Sequence, residues 1–454
     1  MTSEYSIPVR EIPIATLGQA KIPSPLPYGN MINTGKVMLS LSHEYDEDID
    51  THQTLLFEEA GPRQDLYFDP GKTKCAIVTC GGLCPGLNDV IRAIVLEAYH
   101  AYNTPSVLGI RYGLEGFIPS YSHNVMELTP ASVEHIYQFG GTLLGSSRGP
   151  QEPSEIVDAL ERLNVSVLFV IGGDGSMKAA SAIAKEVRQR NIRISIIGIP
   201  KTIDNDLAVT DHCPGFGSAA KYAAVSALEL AFDASALPIH VVVMELMGRN
   251  AGWITAASAL FAGQMPCEHL VYLPETDFDK EQFLSAVKEK WAKGRGLLVT
   301  VSEGIHYADG SPVADSGIVD GFGHKIPGGA AQTLSDMIMQ ETGLKSRSEK
   351  PGLLGRVSVA LMSEVDQREA QEAGAAAVRA AVEGKTGYMV GFQTTREPEY
   401  RTATCLIPLE QVANAEKKFP LEWIGEDGAS IRPAFQDYCL PLLGGYDSRF
   451  AYLR

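Results

Sequence analysis

Two short segments hold the residue types and spacing that could do chemistry. Pro200-Lys201-Thr202-Ile203-Asp204-Asn205-Asp206 follows an apolar run and sets two carboxylates two positions apart, beside a lysine and a threonine. Acids at the end of a buried run are costly unless their charges are used or paired. Asp204 is suited to accept a proton from a hydroxyl, Asp206 to fix a metal or the loop, and Lys201 to attract phosphate. The bland alternative is an Asx-turn cluster of solvated acids. The second segment, Gly172-Gly173-Asp174-Gly175-Ser176, lies between Val-Leu-Phe-Val-Ile and a helical pattern starting at Met177. Glycines there let backbone approach phosphate oxygens, and the helix N-terminus adds partial positive charge. Asp174 is placed to hold Mg2+ bridging those oxygens. Its bland counterpart is a tight strand-to-helix turn with an N-cap serine.

These loops need a frame, and the texture from Lys74 onward supplies one. Short apolar runs end in glycine-rich or polar turns and are followed by helical patterns, the mark of βα units on a parallel sheet. Strands are expected at 75–80, 106–111, 167–171, 194–199, 241–246, 269–273, 296–302 and 388–392. Helices are expected at 89–101, 176–190, 217–233, 250–262, 280–292 and 367–384. The unusual residues fall after strands: Cys80 to Asn88, Gly172 to Ser176, Pro200 to Asp206, Met247-Gly248-Arg249, and Glu303. In one parallel sheet these five ends would open onto a single edge, where ligands bind in open α/β sheets. Residues 1–73, with several prolines and an acidic stretch from Glu44 to Asp50, read as an N-terminal arm without its own large core.

Composition limits the partners. The 454 residues carry 38 Lys+Arg against 55 Asp+Glu, a formal charge of −17 that repels a nucleic-acid backbone. No apolar run approaches the ~18 residues of a membrane helix, so neither nucleic acid nor membrane is an expected partner. Seven thinly scattered cysteines do not suggest a disulfide framework, and Cys80 and Cys84 lack the companions of a zinc site. The N-terminus has no basic-then-apolar leader and the C-terminal Ala-Tyr-Leu-Arg is no address signal, so a cytoplasmic location is expected. Three motif look-alikes fail on context. Gly71-Lys72-Thr73 precedes a strand instead of following one, no apolar strand leads into Gly145-Ser146-Ser147-Arg148-Gly149, and Gly215 to Ala220 follows Cys-Pro.

Together the motifs Gly-Gly-x-x-Pro-Gly-Leu-Asn, Gly-Gly-Thr-Leu-Leu-Gly-Ser-Ser-Arg, Gly-Gly-Asp-Gly-Ser, Thr-Ile-Asp-Asn-Asp and Met-Gly-Arg, in this order, resemble the phosphofructokinase family over about residues 74 to 395. The resemblance implies an α/β fold of two Rossmann-like lobes, parallel sheets flanked by helices, with the active site in the cleft between them. A core at 74–395 would then be framed by extensions at 1–73 and 396–454. It implies transfer of a phosphoryl group to the 1-hydroxyl of fructose 6-phosphate, with Asp204 as proton acceptor and Lys201 and Arg249 as catalytic cations. Thr202, Ile203, Met247, Gly248, Arg249, Glu303 and Arg356 would bind the sugar phosphate. Gly82, Arg148, Gly149, Gly173, Asp174, Gly175 and Ser176 would bind the donor, with Mg2+ on Asp174. The family's habit of sharing sites across subunits implies a homodimer or homotetramer.

Donor choice turns on two residues. In the pyrophosphate-using branch the residue matching Gly175 is usually an aspartate, which would collide with the inner phosphate of a nucleotide; glycine leaves room for ATP. Lys201 and the run Thr-Asp-His-Cys-Pro-Gly-Phe-Gly-Ser-Ala-Ala-Lys-Tyr nevertheless look like the pyrophosphate group. The combination of Gly175 with Lys201, a long N-terminal arm and Cys-Gly-Gly-Leu-Cys-Pro-Gly-Leu-Asn resembles the atypical ATP-dependent branch within that group. His240 stands where common ATP enzymes place an arginine reaching into a neighbouring subunit's site, so Arg347 is a weaker candidate for that contact. The rival readings are a pyrophosphate-dependent phosphotransferase and a non-catalytic subunit that binds sugar phosphate. Retention of both Asp174 and Asp204 argues against the latter.

Overall fold

A computed structural model describes residues 9–446 apart from 28–30, 33–35, 40–53, 238–239, 295, 320–324 and 414. The acidic stretch 44–50 and the last four residues lie outside the described residues. The chain forms two compact units. The first comprises residues 1–202, 206–215 and 366–417, and the second residues 203–205, 216–365 and 418–454.

Continuous burial explains the middle of the first unit. Val167–Gly172 and Ser195–Pro200 are buried at every position, as strands covered on both faces by helices must be. They pair in parallel with each other, and Lys74–Thr79, Ser106–Ile110 and Tyr388–Thr395 extend the sheet as parallel neighbours. Strands absent from the sequence reading complete a ten-stranded sheet. Arg401–Pro408 pairs antiparallel with Tyr388–Thr395 and with Thr54–Glu59, and the latter also pairs with Val9–Glu11. Part of the stretch expected as an arm is therefore strand in the sheet. Helices Asp174–Gln189 and Pro153–Arg162 pack together, burying Ile156, Leu160, Met177 and Ile183 with Val170 and Ile196. Helix Glu364–Val382 approaches helix Leu87–Leu96 at Gly374, where a Cβ would stand 2.9 Å from the Val90 carbonyl oxygen.

The second unit holds an all-parallel four-stranded sheet in the order Glu268–Tyr272, Leu297–Ser302, Val241–Leu246, Ser346–Glu349. Helices Lys280–Trp291 and Ala330–Thr342 bury Phe283, Val287, Leu334 and Ile338 against Val243 and Val299. Gly343, with φ 72°, closes the latter helix in the left-handed conformation that favours glycine. Residues 418–446 join this unit through an aromatic cluster in which Phe419, Trp423 and Tyr438 surround the fully buried Trp253 at centroid distances of 5.2, 6.0 and 5.4 Å. The helix expected at 250–262 is only Trp253–Ala257, because the Ser258 hydroxyl bonds back to the Thr255 carbonyl at 2.6 Å and the chain turns.

The five strand ends do not share one edge, contrary to the single-sheet expectation. Those at Thr79, Gly172 and Pro200 belong to the first unit's sheet, and those at Leu246 and Ser302 to the second's. Sequence marks where a strand stops, whereas pairing decides which sheet it stops in.

Candidate active site

In the first unit, three glycine-bearing loops are tied to one another mainly through backbone. Cys80 donates its N–H to the Ile171 carbonyl at 2.9 Å, and Gly81, at φ 83°, donates to the Ser147 carbonyl at 3.1 Å. Ser146 Oγ returns a bond to the Gly81 carbonyl at 2.7 Å. A side chain on Gly172 would strike Ser176 Oγ and the Cys80 carbonyl, so glycine is required for this approach. The segment after 139 is set by Asn88, whose Nδ2 donates to the Phe139 carbonyl at 3.0 Å while its Oδ1 accepts from the Leu143 N–H at 2.8 Å. Thr79 Oγ1 adds a 2.6 Å bond to the Gly145 carbonyl. Gly82 and Arg148 end up exposed, and Gly149 turns at φ 94°.

Helix Asp174–Gln189 begins on this platform with Gly173 as N-cap, its carbonyl accepting from the Ser176 and Met177 N–H groups at 2.9 and 3.0 Å. Asp174 is half-buried. Its Oδ2 accepts from Lys178 Nζ at 2.8 Å, while its buried Oδ1 has no hydrogen-bond partner among the described residues. Gly175 is exposed, its φ is not left-handed, and no heavy atom lies within 4 Å of where a Cβ would stand. Neither conformation nor packing explains glycine there. What it supplies is open space.

The sequence-predicted cation Lys201 is only 1% exposed, and its Nζ donates to the Pro85 carbonyl. Gly86 and Gly215 make room for it, since a Cβ on either would lie 3.2 and 3.0 Å from that nitrogen. Nearby, burial pushes the Asp89 carboxyl up to about 6 against the pull of Gln371 and Lys201. Lys201 thus underpins the Pro85–Gly86 turn and does not face solvent. Thr202, also buried, donates its N–H to the Pro214 carbonyl at 3.2 Å.

In the second unit the loop Met247-Gly248-Arg249 leaves strand Val241–Leu246 beside Glu303. Glu303 donates its N–H to the Leu246 carbonyl at 3.0 Å, Ser302 Oγ bonds the carbonyl of Gly248 (φ 140°), and a Cβ on Gly304 would strike the Arg249 carbonyl. Arg249 is exposed. Burial raises the Glu303 carboxyl, and so does Glu245, while Lys350 and Arg249 pull it down. Glu245 is itself buried at the strand end, pairing with Lys350 Nζ at 2.5 Å and accepting from the Ala331 N–H at 3.1 Å. An apolar hollow of about 330 Å³, including its open mouth, lies against Ile203, Tyr222, Met247, Ile254 and Gly355. Arg356 is half-buried on the short helix Leu354–Val357. Asp204 is half-buried between buried Ile203 and Asn205, and Asn205, at φ 54°, donates Nδ2 to the Tyr438 hydroxyl at 2.9 Å.

The predicted residues therefore divide. Gly82, Arg148, Gly149, Gly173, Asp174, Gly175, Ser176, Lys201 and Thr202 belong to the first unit, and Ile203, Asp204, Met247, Gly248, Arg249, Glu303 and Arg356 to the second. Sequence reasoning missed Glu245 and Lys350. The available signal was an acid inside the apolar run Val-Val-Val-Met-Glu-Leu. Among the described residues no group of three or more His, Cys, Asp or Glu could hold a metal. A single carboxylate with one unpartnered oxygen suits Mg2+, which is commonly held by one or two carboxylates together with substrate phosphates. No helix of the described residues is long and apolar enough to cross a membrane.

Comparison with known proteins returns the phosphofructokinase profile over residues 74–381. An ATP-dependent 6-phosphofructokinase of Trypanosoma cruzi is 43% identical over 252 residues, 55% of this chain and 51% of the relative, so the chain matches about half the length of that relative. An ATP-dependent 6-phosphofructokinase of Borreliella burgdorferi is 34% identical over 80% of this chain and 82% of its own. Among solved structures, a pyrophosphate-dependent phosphofructokinase of Nitrosospira multiformis superposes with a TM-score of 0.75 at 29% identity, covering 84% of this chain and 94% of its own.

Proposed function

The chain belongs to the phosphofructokinase family, and on that premise we propose that it is an ATP-dependent 6-phosphofructokinase, converting fructose 6-phosphate to fructose 1,6-bisphosphate. Phosphoryl transfer asks little covalent help of a protein. It needs alignment and neutralisation of charge on the moving group. The backbone-tied loops at 80–82, 145–149 and 172–176 suit the donor's phosphate chain, with Arg148 adding charge. Mg2+ on Asp174 would neutralise donor phosphate oxygens. Arg249 and Arg356 would take the sugar's phosphate ester and Glu303 its hydroxyls, while Asp204 accepts the proton of the 1-hydroxyl. The 1-oxygen forms its bond to the terminal phosphorus as the bond to the bridging oxygen breaks, and ADP leaves.

The observation that carries ATP as donor is the vacant surround of Gly175. A glycine that neither fold nor packing requires, beside a phosphate-binding helix start, leaves space that an aspartate would fill with bulk and charge. A second reading, pyrophosphate as donor, is favoured by Lys201 and by the likeness to a pyrophosphate-dependent structure. A coupled assay supplying ATP or pyrophosphate with fructose 6-phosphate tests the assignment. ATP is expected to support turnover, and a strong preference for pyrophosphate reverses the donor. Turnover by the purified chain also removes the non-catalytic reading. Exposed Leu353, Leu354, Val357 and Val359 flank Arg356, which supports a homodimer or homotetramer covering them. A cytoplasmic location completes the reading.

A further inference from the structure

The stretch leaving the acidic segment, residues 206–215, takes a costly path. Val209 sits at φ 70°, a conformation seldom adopted by a β-branched residue and one that persists only where surroundings over-determine it. Those surroundings lie within the first unit and are charged, buried at His212, Glu369 and Lys417 and half-buried at Asp211, Arg396 and Tyr400. His212, 1% exposed, presents Nδ1 to Asp211 at 2.9 Å and Nε2 to Glu369 at 2.7 Å. Ionised carboxylates only accept, so both ring nitrogens carry hydrogen. Glu369 also accepts from the Tyr400 hydroxyl at 2.5 Å, and Arg396 grips Asp211 with two nitrogens at 2.7 and 3.1 Å. Lys417, fully buried, donates to the Thr210 and Asp211 carbonyls at 3.2 and 2.8 Å, and its own N–H bonds the Asp206 carbonyl at 2.8 Å. The far end is pinned by Asp366, which accepts from the Gly215 N–H at 2.6 Å.

Three ion pairs and a phenol, buried or half-buried around one ten-residue loop, are poor value for stability alone, because desolvation offsets most of the attraction. They do specify one conformation. We propose that the chain Arg396–Asp211–His212–Glu369–Tyr400 is a positioning device for the reaction, holding residues 206–215 so that Asp204, two residues upstream, leaves the segment at one fixed angle. This rests on the proton-acceptor role proposed for Asp204. None of the five need touch substrate.

The test uses the full chain with Glu369→Gln and Tyr400→Phe, measured by steady-state kinetics and by hydrogen exchange of peptides covering 203–215 and 174–189. Glu369→Gln is expected to lower kcat on the order of 10- to 100-fold, the scale of an ångström-level misplacement. The KM values for both substrates should stay within about threefold. Exchange should quicken in 203–215 while 174–189 is unchanged. Tyr400→Phe should act in the same direction by about threefold, and it decides the matter if Glu369→Gln does not fold. Unchanged kcat in folded variants, KM rising in step with any loss, or exchange quickening equally in both peptides overturns the proposal. Absence of turnover in the wild-type chain with either donor would fail the Asp204 role, while the exchange contrast would still decide whether the network holds the segment.

Discussion

Around Gly175 the first unit offers open space, largely half-buried loops tied through backbone bonds, and one carboxylate with an unpartnered oxygen. Around Arg249 the second unit instead crowds charged side chains, with Glu245 buried against Lys350 and the Glu303 carboxyl shaped by both and by Arg249. On the proposed function, one region prepares for its ligand by leaving side chains out, the other by pairing charges in advance. The difference fits the proposed ligands. A phosphate chain arriving with its own metal needs N–H groups and room, whereas a sugar phosphate must be held by fixed side chains at both its ester and its hydroxyls.

The largest effect should come at the segment whose residues are divided between the two units. Asp204→Ser is expected to lower turnover by a factor on the order of 10²–10⁴, the usual share of a general base, with fructose 6-phosphate affinity nearly intact. Comparable loss of binding and turnover would make Asp204 structural. Next, Gly175→Asp should cut kcat/KM for ATP by roughly 10²–10³ and raise pyrophosphate use, because a carboxylate about 4 Å from phosphate oxygens costs several kcal/mol at protein surfaces. Equal losses with both donors would break the contrast based on open space. Lys350→Met should raise the KM for fructose 6-phosphate on the order of tenfold and leave that for ATP alone, by stripping Glu245 of its partner beside Glu303. A matching rise for ATP would show the two regions not to be separate in function.

The smallest effect concerns neither region directly. Burial disfavours the His212 imidazolium, but Glu369 and Asp211 overcome it and hold the group near 9, above its ordinary 6.5. A folded-state value above the unfolded one stabilises fully below pH 6.5, and that contribution is lost as pH rises through about 9. Chemical denaturation across this window should show stability falling by less than about 3 kcal/mol, one proton's worth, and His212→Gln should flatten the slope.

Much of this was legible beforehand for physical reasons. Uninterrupted apolar runs such as Val167–Ile171 and Val241–Leu246 admit little but buried parallel strands, and the observed bounds differ by a residue or so. Arg401–Pro408 was not legible, since its first half, Arg-Thr-Ala-Thr, is polar but for Ala403 and follows charged neighbours, and it gains its place only by pairing with Tyr388–Thr395 and Thr54–Glu59. Lys201 shows the same limit inside the site. Its type and neighbours suggest a cation for phosphate, yet its four methylenes carry Nζ inward to the Pro85 carbonyl.

By itself the sequence determined the α/β class, the strand ends proposed to carry chemistry, and the order of loops that marks the family, because period, glycine placement and acid spacing are local properties of the chain. Only the tertiary structure decided that those ends divide between two sheets, that Lys201 turns inward, and that His212 is clasped by carboxylates from neighbouring and distant positions. Each of these depends on which remote residues share a low-dielectric interior, and chain order does not encode that adjacency locally.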